Sequence, residues 1–132
     1  MPLIATSTDS YTQAIKHEYA PELAFCRESI VANETAAKTY AVGTVLGLVT
    51  ATGKYKIAVQ TAADGSQNAA AVVVEDKSVA ANTDTKVLAL VRGPAIVSKS
   101  ALKLDATFDQ PAEIAAVHTA LAAKQILAND AV

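Results

Sequence analysis

Few residues in this sequence have the types and spacing that chemistry demands. His17-Glu18 opens like the zinc motif in which two histidines four residues apart hold the metal and the glutamate activates a water. The second histidine is missing, because position 21 is Pro. His118, the other of 2 histidines, and Cys26, the single cysteine, stand far from that pair in sequence. Histidines placed this way read as surface or helix-facing side chains, and no metal is expected. Cys26 would act as a nucleophile only beside an activating base or cation, and nothing local supplies one. It reads as a small, partly buried thiol. The serines lack the Gly-x-Ser-x-Gly elbow of a nucleophile. Gly43 and Gly47 lack the further glycines and the Lys-Ser/Thr pair of a phosphate or dinucleotide loop. Asn33-Glu34-Thr35 has the form of a glycosylation sequon, which matters only after secretion. No catalytic residue, cofactor site or metal site is expected, and the chain does not read as an enzyme.

With reactive side chains so sparse, the scaffold carries the information. The 132 residues suit one domain. Hydrophobic residues make up 52%, yet Trp is absent and aromatics are only 5%, so the apolar content is mostly Ala and Val. Small side chains bury little area, and burial is worth about 25 cal/mol per Å². The core should be thin, and oligomerisation is one ordinary supplement. The net charge is −2 and the 11 basic residues are scattered, which argues against nucleic acid as a partner. One cysteine excludes an internal disulfide and fits synthesis in a reducing cytosol. Met1-Pro2-Leu3-Ile4 has no basic, long-apolar signal pattern, and the longest apolar run, Ala69 to Val74, is too short to span a membrane.

Residues 1–27 show no sustained period of 2 or of 3.6 and are interrupted by Pro21, so they read as an extended arm or a disordered tail. The arm carries Ile4, Tyr11, Ile15, Tyr19 and Phe25, apolar groups that a solvated tail seldom needs. These five are the candidate binding residues. The domain proper is expected over 28–132. Ser29 to Ala32 reads as a short strand, and Thr39 to Thr50 as β-branched and Gly-punctuated extended chain. Thr52-Gly53 marks a turn, and Lys54 to Val59 alternates polar and apolar, so a hairpin should close near Gly53. Ala69 to Val74, unbroken and apolar, predicts a strand buried on both faces and stopped by Glu75-Asp76-Lys77. Lys86 to Val91 and Ala95 to Val97 predict two more strands, separated by Arg92-Gly93-Pro94. Asp109 as cap, Pro111 in the first turn and Glu113 against the dipole predict a helix over about 110–128, with Ile114, Val117, Leu121 and Ala128 on one face. The fold class is therefore mainly β, of α+β type, with a C-terminal helix and an N-terminal arm.

Gly43-Thr44-Val45-Leu46-Gly47 and Thr50-Ala51-Thr52-Gly53-Lys54-Tyr55 resemble the lambda-type head decoration (cement) proteins of tailed bacteriophages. The likeness continues in order through Ala63 to Gln67, Ala71 to Asp76, Leu90 to Gly93, Ala101 to Leu104 and the closing stretch Ala116 to Leu127. It covers the chain from about Tyr11 onward. Val91 to Ser100 is more basic and Pro-broken than the family pattern, and Thr12 to Arg27 matches it only loosely.

The resemblance implies a compact β-rich barrel or sandwich-like domain, assembled as a homotrimer. It implies a partner, the major capsid protein at the threefold sites of the expanded head, which the trimer reinforces against internal DNA pressure. It implies a place on the outer surface of the virion, no enzymatic activity and no cofactor. Two other readings stay open. Val73-Val74-Glu75-Asp76-Lys77 also resembles the Asp-Lys hairpin of lipoyl-type carrier domains, in which Lys77 would be modified. Small β-rich trimers serve as tail-associated phage modules as well.

Overall fold

The computed structural model describes residues 15–19 and 26–129. The strands are β1 (Ile15–Glu18), β2 (Arg27–Ala32), β3 (Lys38–Tyr40), β4 (Val45–Val49), β5 (Lys54–Ile57), β6 (Ala69–Val73), β7 (Lys77–Val79), β8 (Thr85–Leu90), β9 (Ala95–Ser98) and β10 (Ile126–Asn129). Among the described residues, one helix, α1 (Pro111–Ala122), and a 3-10 turn at Lys99–Ala101 join these strands. Strands β2, β5, β4, β6 and β8 pair in that order and close into a barrel. Closure removes the unpaired edges that an open sheet would present.

The barrel follows closely from the sequence. β4 and β5 form the expected hairpin, with Val49 opposite Lys54. Gly53 turns it with φ of 72°, a conformation open to glycine at little cost. Every residue of β6 is buried, as its unbroken apolar run requires. Ala71 and Val73 pack with Leu46, Val87 and Ala89 in the barrel's core. Val72 and Val74 face a second core, shared with Val117 and Leu121 of α1 and Ile126 of β10.

Beside the barrel lies a two-stranded ribbon, β3 with β7, in which Tyr40 pairs with Lys77. Its strand β7 begins at a residue the sequence assigned to the end of the preceding strand. Tyr40 is fully buried and anchors the ribbon. Its hydroxyl donates to the Glu34 carboxylate, which also accepts the Ile57 amide at 2.7 Å. Burial first, then the Glu34 hydrogen bond and charge, push the Tyr40 hydroxyl far above its ordinary range.

The N-terminal and C-terminal thirds depart further from expectation. Ile15–Glu18 is a strand, antiparallel to β9, so this part of residues 1–27 belongs to the domain's own sheet. Ile15 is buried in the second core. A register irregularity between Ile15 and His17 blurs the period of 2 that would have announced the strand.

The helix is shorter than predicted. It is entered at Gln110 rather than Asp109, with Glu113 accepting the Gln110 amide at 3.3 Å and Pro111 in the first turn. It ends at Ala122, not near 128. Lys124 and Gln125 close a tight turn on Leu121 and Ala122 carbonyls, and Gln125 takes φ of 64°. The chain then becomes β10, parallel to β9, so Ala128 belongs to a strand. Ala101 to Leu104, part of the family likeness, supplies the end of the 3-10 turn and a single bridge from Lys103 to Thr44.

Candidate functional site

The histidines, the cysteine and Lys77 do not converge. His17 is exposed on β1, and His118 sits on α1. Cys26 is fully buried, its thiol 3.5 Å from the carbonyl oxygens of Tyr19 and Pro94, to which it donates. Among the described residues, no three of His, Cys, Asp and Glu form a group able to hold a metal ion. Lys77 is not at a hairpin tip. It lies in β7 and pairs with Tyr40, while β6 pairs with β4 and β8. The acidic residues before it are structural acceptors: Asp76 takes the Val42 amide at 3.0 Å and Glu75 the Leu88 amide at 3.2 Å. A carrier hairpin would need that lysine on an exposed turn between two paired strands, and this topology provides none.

Shifted titrations elsewhere belong to two surface loops and to the half-buried Tyr55 of β5. Asp64 is held down to about 2 by the Ser66 hydroxyl and amide, which donate at 2.6 and 3.0 Å, with Lys56 at 3.2 Å. Asp84 is lowered by Asn33, which donates at 2.7 Å, and then by Lys54 at 3.0 Å. Tyr55 is raised by burial and by the charge of Glu28, with Arg92 opposing.

The surface that stands out is the small sheet β1-β9-β10, built from both ends of the chain. β1 pairs with β9 and is held further by contacts to the core, to Pro94 and to the barrel. Ile15 enters the core, the Tyr19 amide donates to Pro94 O at 2.9 Å, and Glu18 meets Arg27 of β2. Arg27 places Nε 2.9 Å from both Glu18 oxygens and a terminal nitrogen 2.8 Å from one of them. β10 is fixed at its start, where the Gly93 amide donates to Lys124 O and the Ala95 amide to Gln125 O. Gly93 makes that approach feasible, since a Cβ there would lie 1.8 Å from Gln125 O.

The register sets a cross-strand row on the outward face. His17 stands opposite Ile96, and Ile96 opposite Leu127. These three line a shallow groove of about 310 Å³ with Pro94, Ala95, Ala122 and Gln125. Among the described residues, Tyr19 (55% exposed) and Leu127 (50% exposed) are the exposed large hydrophobics, and both belong to this sheet or its margin. Of the five candidate residues named from sequence, Tyr19 is thus at the surface and Ile15 in the core. Ile4, Tyr11 and Phe25 lie outside the described residues. Ile96 and Leu127 were missed because the row exists only after three strands distant in sequence pair.

Fold and surface together define a small closed-barrel domain whose exposed feature is an apolar sheet face. A family model described as bacteriophage lambda head decoration protein D matches residues 13–126, and the chain belongs to that family. The match takes in β1, the barrel and α1, and reaches the first residue of β10. The family is one of structural phage capsid proteins, which associates the chain with the virion head. No curated protein matches the sequence.

Proposed function

We propose that the protein is made in the host cytoplasm and binds the outer surface of the expanded phage head as a homotrimer. There it sits on the major capsid protein at threefold sites and reinforces the shell against internal DNA pressure. The observation that carries this reading is the family match across residues 13–126. The small-residue core supports the oligomer, because an Ala- and Val-rich domain gains from burying further surface against its copies.

The residues before β1 serve as the capsid-binding arm, with Ile4 and Tyr11 as its apolar anchors. An extended segment adds a strand to an exposed sheet edge through backbone hydrogen bonds. Fixing each residue costs roughly 1–2 kcal/mol, so the contacts must exceed that. Three arms on one trimer bind together, and their avidity raises the net affinity.

The cut that tests the arm must fall before β1, since Ile15 and Glu18 belong to the folded domain. A chain starting at Ala14 should fold and, by light scattering, give three times its own mass, as the full chain should give three times 13.6 kDa. It should bind expanded heads at least about tenfold more weakly than the full chain. Unchanged affinity would reduce the arm to a passive tail, and a monomeric full-length protein would contradict the trimer.

A further inference from the structure

We propose that the ribbon β3-β7 is a lid on one mouth of the barrel, latched by the Tyr40 hydroxyl on the Glu34 carboxylate, and that it lifts as a unit while the barrel stays closed. This device is independent of the capsid reading above.

Register places the ribbon at the mouth. Ala32 stands opposite Thr85, Val45 opposite Val72 and Leu46 opposite Ile57. The C-terminal ends of β2, β5 and β6 and the N-terminal ends of β4 and β8 therefore lie together at one end of the barrel. β3 lies between β2 and β4 in the chain, and β7 between β6 and β8, so both strands of the ribbon emerge at that end. The ribbon supplies Tyr40 and Val79 to the barrel's core, in one cluster with Leu46, Ala71 and Val87. Thr39 and Ser78, paired on its other face, are exposed.

The attachments of the ribbon set it apart from the barrel. Each barrel strand has a paired neighbour on both sides, whereas β3 and β7 pair only with each other among the described residues. One side is fixed where the chain passes to and from β4 and β6. There the Val42 amide donates to Asp76 Oδ1 at 3.0 Å and the Gly43 amide to Val73 O at 2.9 Å, which makes this side the hinge. The other side is held by Glu34. Its backbone oxygen accepts the Asn82 amide at 2.6 Å, and one oxygen of its buried carboxylate accepts both the Tyr40 hydroxyl and the Ile57 amide of β5. Residues 35–37 and 80–84, the connections on this side, are all exposed and can yield without disturbing the core. A unit with few backbone bonds to its surroundings opens at lower free energy than the sheet it rests on. The latch opposes that opening, because lifting Tyr40 strips a buried carboxylate of a donor.

Native-state hydrogen exchange of the full-length protein, read by NMR, tests the lid. The protected amides of residues 38–40 and 77–79 should exchange together, at least about tenfold faster than those of β6. Val117→Ala trims the second core, which stays packed when the lid lifts. It destabilises the closed and lid-open forms equally, so it should speed exchange in β6 at least about fivefold and leave the ribbon unchanged. Tyr40→Phe removes the latch and keeps the ring, so it should speed the ribbon about tenfold. Ribbon amides as slow as those of β6, and accelerated with them by Val117→Ala, would overturn the lid. A ribbon that opens separately but does not respond to Tyr40→Phe would overturn the latch. Should Tyr40→Phe fail to fold, Glu34→Asp, which keeps the charge and shortens its reach, decides by the same readout.

Discussion

A carboxylate buried as deeply as that of Glu18 needs a fixed cation, and Arg27 supplies a two-pronged one from the neighbouring strand. The pair spans nine positions of sequence and fastens β1 to the barrel. Removing the cation leaves a desolvated charge, which costs more than the pair itself contributes. Arg27→Ala should therefore lower the unfolding free energy by about 3 kcal/mol, and Arg27→Met with Glu18→Leu by clearly less, as measured by urea denaturation. Tyr40 makes a second residue-scale prediction, through pH. Its hydroxyl titrates well above the ordinary 10.0 in the folded chain because ionisation would put a buried charge beside Glu34. The unfolded chain loses that proton near pH 10 while the folded chain keeps it, so the Tyr40 contribution is complete below pH 10 and declines as pH rises beyond it. Denaturation midpoints should fall from pH 9.5 to 11 (about one ionisation's slope), and Tyr40→Phe should flatten that fall. An equal fall in the variant would assign it to other groups.

At the scale of elements, the sequence is legible where local chemistry and tertiary structure agree. The turn at Gly53, the doubly buried β6, the strands on either side of Gly93-Pro94 and the entry to α1 are all placed by short patterns. The end of α1 is different. Ala122-Ala123-Lys124-Gln125 contains only good helix formers, and Leu121 and Ala128 stand at helical spacing, so nothing local announces the break. The break comes from Gln125, a non-glycine residue at positive φ, and from β9, which offers a strand edge for Ile126–Asn129. The ribbon β3-β7 was hidden for the same reason, since three-residue strands show almost no period. Gly93 decides whether β10 docks, because a side chain there collides with Gln125 O. Gly93→Ala should cost about 3 kcal/mol and should raise amide exchange at residues 126–129 well above the exchange in β6. Uniformly slow exchange there would show that the crossover tolerates the methyl group.

The whole molecule joins a well-closed barrel to a sheet assembled from its two chain ends. Its largest fully buried side chains are few, Tyr40, Leu46, Leu90, Leu121 and Ile126 among them, so much of the interior is filled by Ala and Val. Such a domain gains from burying further surface, and membership of the head decoration family associates it with the phage capsid. The candidate surface was only partly legible in sequence. Tyr19 could be named because it is an aromatic residue in a polar segment, whereas Ile96 and Leu127 look like ordinary strand and helix residues until the register aligns them. The most direct measurement is cryo-electron microscopy of expanded phage heads saturated with the purified protein. On the proposed function, added density is expected as three-chain units on the outer face of the shell, at its threefold sites. Bare heads, or density confined to the tail, would contradict that expectation.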